Sequence, residues 1–320
     1  MRRLISILLI AMILSTGCTS LDMADENIVK DVSDIITDTV FNGAGNEKAE
    51  RKESHTVKSE NKNTLNLMSS VGDINIVPHQ SDDTIININI TAKAKEKKKA
   101  EEIIDNYIYK INEEGSSIVI DTTFNELPND INLVTDLTVY LPSTIQNLEV
   151  TANVGDVNIN SFIGNMDIKN NVGEVILDKS NGSYNIKADV GGIILKDCIA
   201  VGNSEFKTST GDIELSFESI SKAVSIIAET GVGNIEVSLN DDSGYHAVIN
   251  EFMKDERIQT KHDQGTSINL TTGVGKIEFN WLLDKRAFIW VFFFCRLFCL
   301  NLSKARYTYI ISTYVYKLYL

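Results

Sequence analysis

The sequence predicts an all-β fold: a β-solenoid, parallel β-helix-like, of short glycine-punctuated strands, with one amphipathic helix near its N-terminal end. Three observations predict it. From residue 64 the apolar residues alternate with polar ones, the period of a strand with one buried face. Glycines recur every nine residues at 155, 164, 173, 182 and 191. Within this body, only the stretch from Ala100 to Ile111 carries a sustained helical period.

The 320 residues divide by composition before any element is placed. The net charge is −14. Arg2 and Arg3 give +2 to residues 1–17, and six cations against Asp284 give +5 to residues 282–320, which leaves −21 on residues 18–281. So acidic a body argues against nucleic-acid binding, which needs a cationic surface. Four cysteines scattered from 18 to 299 form neither a disulfide framework nor a zinc site.

Residues 1–17 read as a lipoprotein signal peptide. Met1-Arg2-Arg3 is a positive start, and Leu4 to Leu14 is an apolar run too short to span a bilayer. Leu14-Ser15-Thr16-Gly17-Cys18 then resembles a bacterial lipobox, with Ser15 where Leu is usual. The resemblance implies lipidation of Cys18, and several acyl chains hold a protein to a membrane without a spanning helix. Residues 18–63 follow as a lipid-anchored flexible stalk, because Glu47 to Asn63 is nearly all polar and cannot offset ordering entropy. A short helix over 27–40 is compatible with the spacing of Ile28, Val32, Ile35 and Ile36.

Residues 64–281 form the predicted β domain. Leu65 and Leu67 alternate with polar neighbours, and Ile86, Ile88 and Ile90 line one face of a strand. Ala100, Ile103, Ile104, Tyr107, Ile108 and Ile111 fall on one stripe of a helix. Before it stand Lys93, Lys95, Lys97, Lys98 and Lys99, which read as a solvated face or as a contact for anionic lipid or wall polymer. Strands resume at Ser117–Asp121 and Asp136–Leu141, the latter stopped by Pro142.

The repeat follows. VGDVNIN, IGNMDIKN, VGEVILD, NGSYNIKA and VGGIILKD share a glycine, a polar or small residue, and an apolar pair two apart. Looser copies start at Gly72, Gly211, Gly233 and Gly275. One unit cannot bury its apolar face alone, whereas stacked units make a continuous core, two strands per coil of roughly eighteen residues. A meander of hairpins in a sandwich is the alternative.

The same residues offer few candidates for chemistry. Asp73, Asp156 and Asp212 follow repeat glycines, where they brace turns or, aligned on one edge, bind Ca²⁺ weakly; their spacing does not match the calcium-binding nonapeptide. His55 falls in the stalk, and His79, His246 and His262 in turns, with no paired cysteine. Cys198 reads as a small buried side chain. Asp212 with Glu214, and Asp241 with Asp242, are the carboxylate pairs that a sugar-cleaving enzyme would need. An acidic chain yields such pairs by chance, so no catalytic, metal or cofactor site is expected.

Residues 282–320 change grammar. They hold no glycine, and from Trp281 onward stand 12 of the 24 aromatics. Arg296 splits the apolar run into pieces too short to cross a bilayer. Three readings stay open: a membrane-associated segment, strands capping the solenoid, or a frameshifted end.

Strand pairs, a charged helical insert, a strand ending in LPSTIQNLEV and a ladder of glycine units closing at GKIEF together resemble the "putative adhesin" family of bacterial envelope proteins, domain of unknown function 4097. The resemblance spans about 64–280 and implies a solenoid-like envelope domain with no known catalysis and an adhesive or scaffolding role. The expected protein is therefore an extracytoplasmic, membrane-anchored lipoprotein. It binds an envelope or extracellular protein or polysaccharide; as the alternative, it is a structural or stress-signalling component that regulates a membrane partner. A polysaccharide-active enzyme is the third reading.

Overall fold

The computed structural model describes residues 47–124, 131–252, 254, 256–261 and 265–281. The signal segment, Cys18, the 27–40 helix, His262 and the tail lie outside the described residues. Strands take up 73% of what is described and a single helix 4%, and the sheet is not closed into a barrel. No described helix is long and apolar enough to cross a membrane.

The first elements are β1 (Glu47–Lys58), β2 (Thr64–Val71), β3 (Ile74–Pro78), β4 (Asp83–Ala94), α1 (Lys97–Asn106), β5 (Lys110–Glu114), β6 (Ser117–Thr122) and β7 (Asn132–Leu141). The repeat region supplies β8 (Asn147–Val154), β9 (Val157–Asn160), β10 (Ile163–Val172), β11 (Val175–Asp178), β12 (Asn181–Val190), β13 (Ile193–Thr210) and β14 (Ile213–Val232). The last are β15 (Ile235–Leu239), β16 (Tyr245–Glu251), β17 (Arg257–Lys261), β18 (Thr266–Val274) and β19 (Ile277–Trp281).

Hydrogen bonding sorts these strands into two ladders. The first runs β1-β4-β7-β3-β9-β11-β13-β14-β15-β19. The second runs β5-β6-β2-β8-β10-β12-β13-β14-β18-β16-β17. Pairing is parallel through the repeats and antiparallel only at β1, β4–β7, β5–β6 and β16–β17. Strands β13 and β14 belong to both ladders, because each continues as strand around the corner, with bulges in their mutual register between Leu195 and Asn203.

The register explains the nine-residue glycine period. Gly164 pairs with Gly182 and Ile168 with Ile186, while Val157 pairs with Val175 and Val175 with Ile193. Equivalent residues are eighteen apart, so each repeat stacks on the next but one. Alternate apolar residues of both ladders (Val157 and Ile159, Met166 and Ile168, Val175 and Leu177, Tyr184 and Ile186) are buried in one continuous core. Tyr184, Phe206 and Phe217 run through it with ring centroids 5.8 and 6.3 Å apart.

Three expectations need correction. Residues 47–58, read as stalk, form β1, which pairs over its whole length with β4. Its polar sequence buries nothing fully; backbone pairing with β4 and the Arg51 bond to Tyr107 O at 3.1 Å hold it instead. The helical stripe is also shorter than its period suggests. Helix α1 stops at Asn106, and Tyr107 turns extended to donate its hydroxyl to Thr122 O at 2.7 Å, leaving Ile108 80% exposed. Finally, the strands are not punctuated by every repeat glycine. Gly164 and Gly182 lie inside β10 and β12, and the left-handed residues at those corners are Ser161 and Lys179.

Candidate functional site

The corners position everything on the surface. At Gly155 φ is +132° and at Gly173 +129°, a region that L side chains rarely adopt. A Cβ on Gly173 would stand 2.2 Å from Gly155 O, and one on Gly155 would stand 2.2 Å from Gly72 O. Gly191, Gly211, Gly233 and Gly275 continue the column in the same way. The coils approach so closely at this edge that no side chain fits between them.

On the inside of this edge, side chains bond the corner carbonyls. Asn170 Nδ2 donates to Gly155 O at 3.0 Å, Thr208 to Gly191 O at 3.0 Å, Thr230 to Gly211 O at 2.9 Å and Thr272 to Gly233 O at 2.8 Å. On the outside, Asp136, Asp73, Asp156, Asp212 and Asn234 accept backbone N–H groups of neighbouring repeats. Asp73 N–H donates to Asp136 at 3.1 Å, Asp156 N–H to Asp73 at 3.0 Å, and Glu174 N–H to Asp156 at 2.8 Å. Asn234 N–H donates to Asp212 at 2.6 Å, and Lys276 N–H to Asn234 at 2.9 Å. Asp73 and Asp156 therefore do adjoin on one edge, with an oxygen of each committed to backbone. Burial raises the pKa of Asp136 and Asp156; the accepted N–H lowers each, and the Asp73 charge raises each again. Among the described residues, no group of three or more His, Cys, Asp or Glu is arranged to hold a metal ion.

The other candidate acids separate. Glu214 sits on the outer face of the first ladder in a column with Glu236 and Glu278, away from the turn role of Asp212. Asp241 accepts from Ser219 Oγ and Ser243 Oγ at 2.6 Å and from Ile220 N–H at 3.2 Å, which fastens the loop after β15. Asp242 pairs instead with Lys261 at 2.5 Å. Cys198 is buried in β13 with its thiol 3.5 Å from Lys196 O, and burial pushes it up to about 11, so it is a poor nucleophile.

Two clusters escaped sequence reasoning because each is completed by a residue far along the chain, Tyr109 in one and Ile277 in the other. His55 of β1 meets Tyr109 at 2.5 Å, and Tyr109 donates to Glu53, whose other oxygen pairs with Arg51. Glu251, almost fully buried, accepts Ile277 N–H at 2.8 Å and pairs with Arg257 at 2.9 Å and with Lys254, tying the last coil together. Hydrogen bonding from Lys254 is the main cause of its lowered pKa.

The outer face of the second ladder is the most regular surface. Asn165 donates to Asn147 at 3.0 Å and Ser183 to Asn165 at 2.8 Å; farther along, Ser225 donates to Asn203 at 2.9 Å. Next to this column, Asn66 donates to Glu149 at 3.2 Å, with Asp167, Asn185 and Glu205 in the following coils. Then come Lys169, Lys187 and Lys207 in register. Lys187 reaches Glu205 at 3.5 Å, and Lys207 bridges Glu205 at 2.8 Å and Glu229 at 3.0 Å. Those bonds lower the pKa of Glu205 and raise that of Lys207. A shallow hollow of about 270 Å³ lies over Asn147, Asn165, Ser183, Asn185 and Asn203. Along the margin a column of Val71, Val154, Val172, Val190, Thr210, Val232 and Val274 grows more exposed, to 61% at Val274.

No family model matches the chain, and no curated protein matches it. Among solved structures it is similar to a "putative cell adhesion protein" from Clostridium sporogenes, with 15% identity over 73% of this chain and 100% of that one and a TM-score of 0.35. It is similar to a "putative adhesin" from Bacteroides fragilis, with 14% identity over 72% and 97% and a TM-score of 0.34. A third is a "putative adhesin" from Parabacteroides distasonis, with 12% identity over 75% and 98% and a TM-score of 0.35.

Proposed function

We propose that this chain is a non-catalytic envelope protein, tethered outside the cytoplasm by lipid on Cys18, whose β-solenoid presents the outer face of the second ladder to an extended polar polymer such as a polysaccharide. The observation that carries the reading is the repetition on that face. Amide, hydroxyl and paired-charge groups recur in register at the strand spacing of about 4.8 Å. A ligand of repeating polar units makes the same contact many times, and the contacts reinforce one another. The solenoid reading is supported by the eighteen-residue parallel register and the stacked corner glycines. The tether is supported by the lipobox-like run ending at Cys18.

The test is a glycan-array and wall-polysaccharide binding screen with the full chain, followed by Asn165→Ala with Lys169→Ala. Both side chains are exposed. The double variant is expected to bind about tenfold more weakly, as loss of hydrogen bonds worth about 1.4 kcal/mol implies, with unchanged thermal unfolding. A screen with no ligand, or a variant that binds as well as the parent, would remove this reading.

A further inference from the structure

Two local rules are broken at one end of the fold. Helix α1 opens with Lys97, Lys98 and Lys99, has no acidic residue in its first turn, and takes no side-chain capping bond from Glu96. Positive charge at a helix N-terminus opposes the macrodipole. Lys48 of β1 stands directly opposite Lys93 of β4, the strand that leads into the helix. Like charges so placed are destabilising. Lys95 completes the cluster, in a domain whose overall charge is strongly negative. Glu50 contacts Lys48, while Lys97 and Lys98 reach Glu101 and Glu102 only at 3.9 and 3.8 Å, with their own side chains 67% and 84% exposed. Sequences tolerate such conflicts chiefly where function requires them.

Apolar surface lies beside the charge. A groove of about 680 Å³ runs along α1; Ile103, Phe124 and the exposed Ile108 line it, with Lys99 and Lys110 beside Glu102 and Asp121. Cationic heads at the start of one helix and an exposed apolar side chain just past its end match the interfacial zone of a bilayer, where phosphates meet the acyl boundary. A soluble polyanion would engage the lysines and leave Ile108 in water.

We propose that this end of the fold, built on Lys48, Lys93, Lys95, Lys97, Lys98 and Ile108, is a docking surface for an anionic lipid bilayer. Chain connectivity favours that occupant, since β1 begins 29 residues after Cys18. A single acyl chain or a small basic patch binds a membrane marginally, and two such signals together bind stably.

The experiment uses the full chain carrying Cys18→Ser, so that lipid on that residue plays no part. It is mixed with phosphatidylcholine vesicles, with or without an equal share of phosphatidylglycerol, and the acetylation rate of each lysine is read by mass spectrometry. Lys95, Lys97 and Lys98 are expected to slow about tenfold on anionic vesicles only. Lys169, on the polymer-binding face, keeps its rate. Molar salt, which shortens the Debye length to about 3 Å, restores the lysines. Ile108→Ser weakens the protection several-fold although it removes no charge. Equal rates on both vesicle types overturn the proposal. So does slowing that soluble polyphosphate reproduces in full and Ile108→Ser leaves intact, which assigns the surface to a polyanion.

Discussion

A single methyl group decides whether two coils can close on each other. Gly173→Ala would place a Cβ 2.2 Å from Gly155 O at φ +129°. The strain alone costs about 1–3 kcal/mol, and neither backbone can retreat without breaking its ladder. Gly202, at φ +67°, has nothing within 4 Å of the point where a Cβ would stand. Gly202→Ala should therefore cost only about 1 kcal/mol. Thermal unfolding of the two variants should differ by several degrees, with the Gly173 variant the lower. Asp156 gives a second prediction at this scale. Its raised pKa means that the native state favours the protonated carboxyl, so stability falls as pH rises from the ordinary aspartate range through the raised value. Asn234 already fills the same position farther along the stack and accepts Lys276 N–H at 2.9 Å. Asp156→Asn should thus stabilise by about 0.2–1 kcal/mol at neutral pH. The gain should vanish below the pH at which the aspartate is neutral in both states, as denaturant melts at pH 7 and pH 3 would show.

Among the elements, α1 and β1 depend on each other. The helix has no basic residue in its last turn. Arg51 supplies that cation from β1, donating to Ile104 O at 2.5 Å and to Tyr107 O at 3.1 Å. Arg51→Ala removes two charge-assisted bonds, each worth about 1.5–3 kcal/mol at most, and leaves Glu53 to His55 and Tyr109. Hydrogen exchange should accelerate over residues 47–58 and 97–106 while the strands from β9 to β13 keep their protection, because little of the core rests on β1. Uniform acceleration would show that β1 is integral to the stack. The sequence could not announce this pairing: strand β1 has the composition of a linker, and its partners lie far along the chain. The same distance hid the His55–Tyr109–Glu53 group and the bond of Glu251 to Ile277 N–H. By contrast, the columns on the second ladder's face come from the repeat itself, so their residues were legible once the period was read.

For the whole molecule, the eighteen-residue register predicts which deletions the fold tolerates. Removing residues 163–180 joins Phe162 to Asn181, and Phe162 already occupies the position of Ser180 one coil earlier, its N–H donating to Ser180 Oγ at 3.3 Å. The shortened chain should fold with unchanged strand signature in circular dichroism and a lower melting temperature, as expected when stability sums over stacked units. Removing only residues 164–172 places first-ladder segments where second-ladder segments belong and should abolish cooperative unfolding. If both deletions behave alike, the stacking reading fails.

The sequence by itself determined the strand-rich class, the helix that begins near residue 97, the corner glycines and the eighteen-residue period, because those depend on periodicity and on backbone geometry near each residue. It also marked Asp73, Asp156 and Asp212 as turn residues, since each directly follows a repeat glycine. Tertiary structure alone decided three things. It put Gly164 and Gly182 inside strands and left Ser161 and Lys179 to take the left-handed corners, since the repeat marks a glycine but not where the backbone turns. It recruited the polar residues 47–58 as an edge strand, since backbone groups pair whatever side chains they carry. It set Lys48 opposite Lys93 and Ile108 outside the helix, since neighbours across a ladder are chosen by chain path rather than by local sequence.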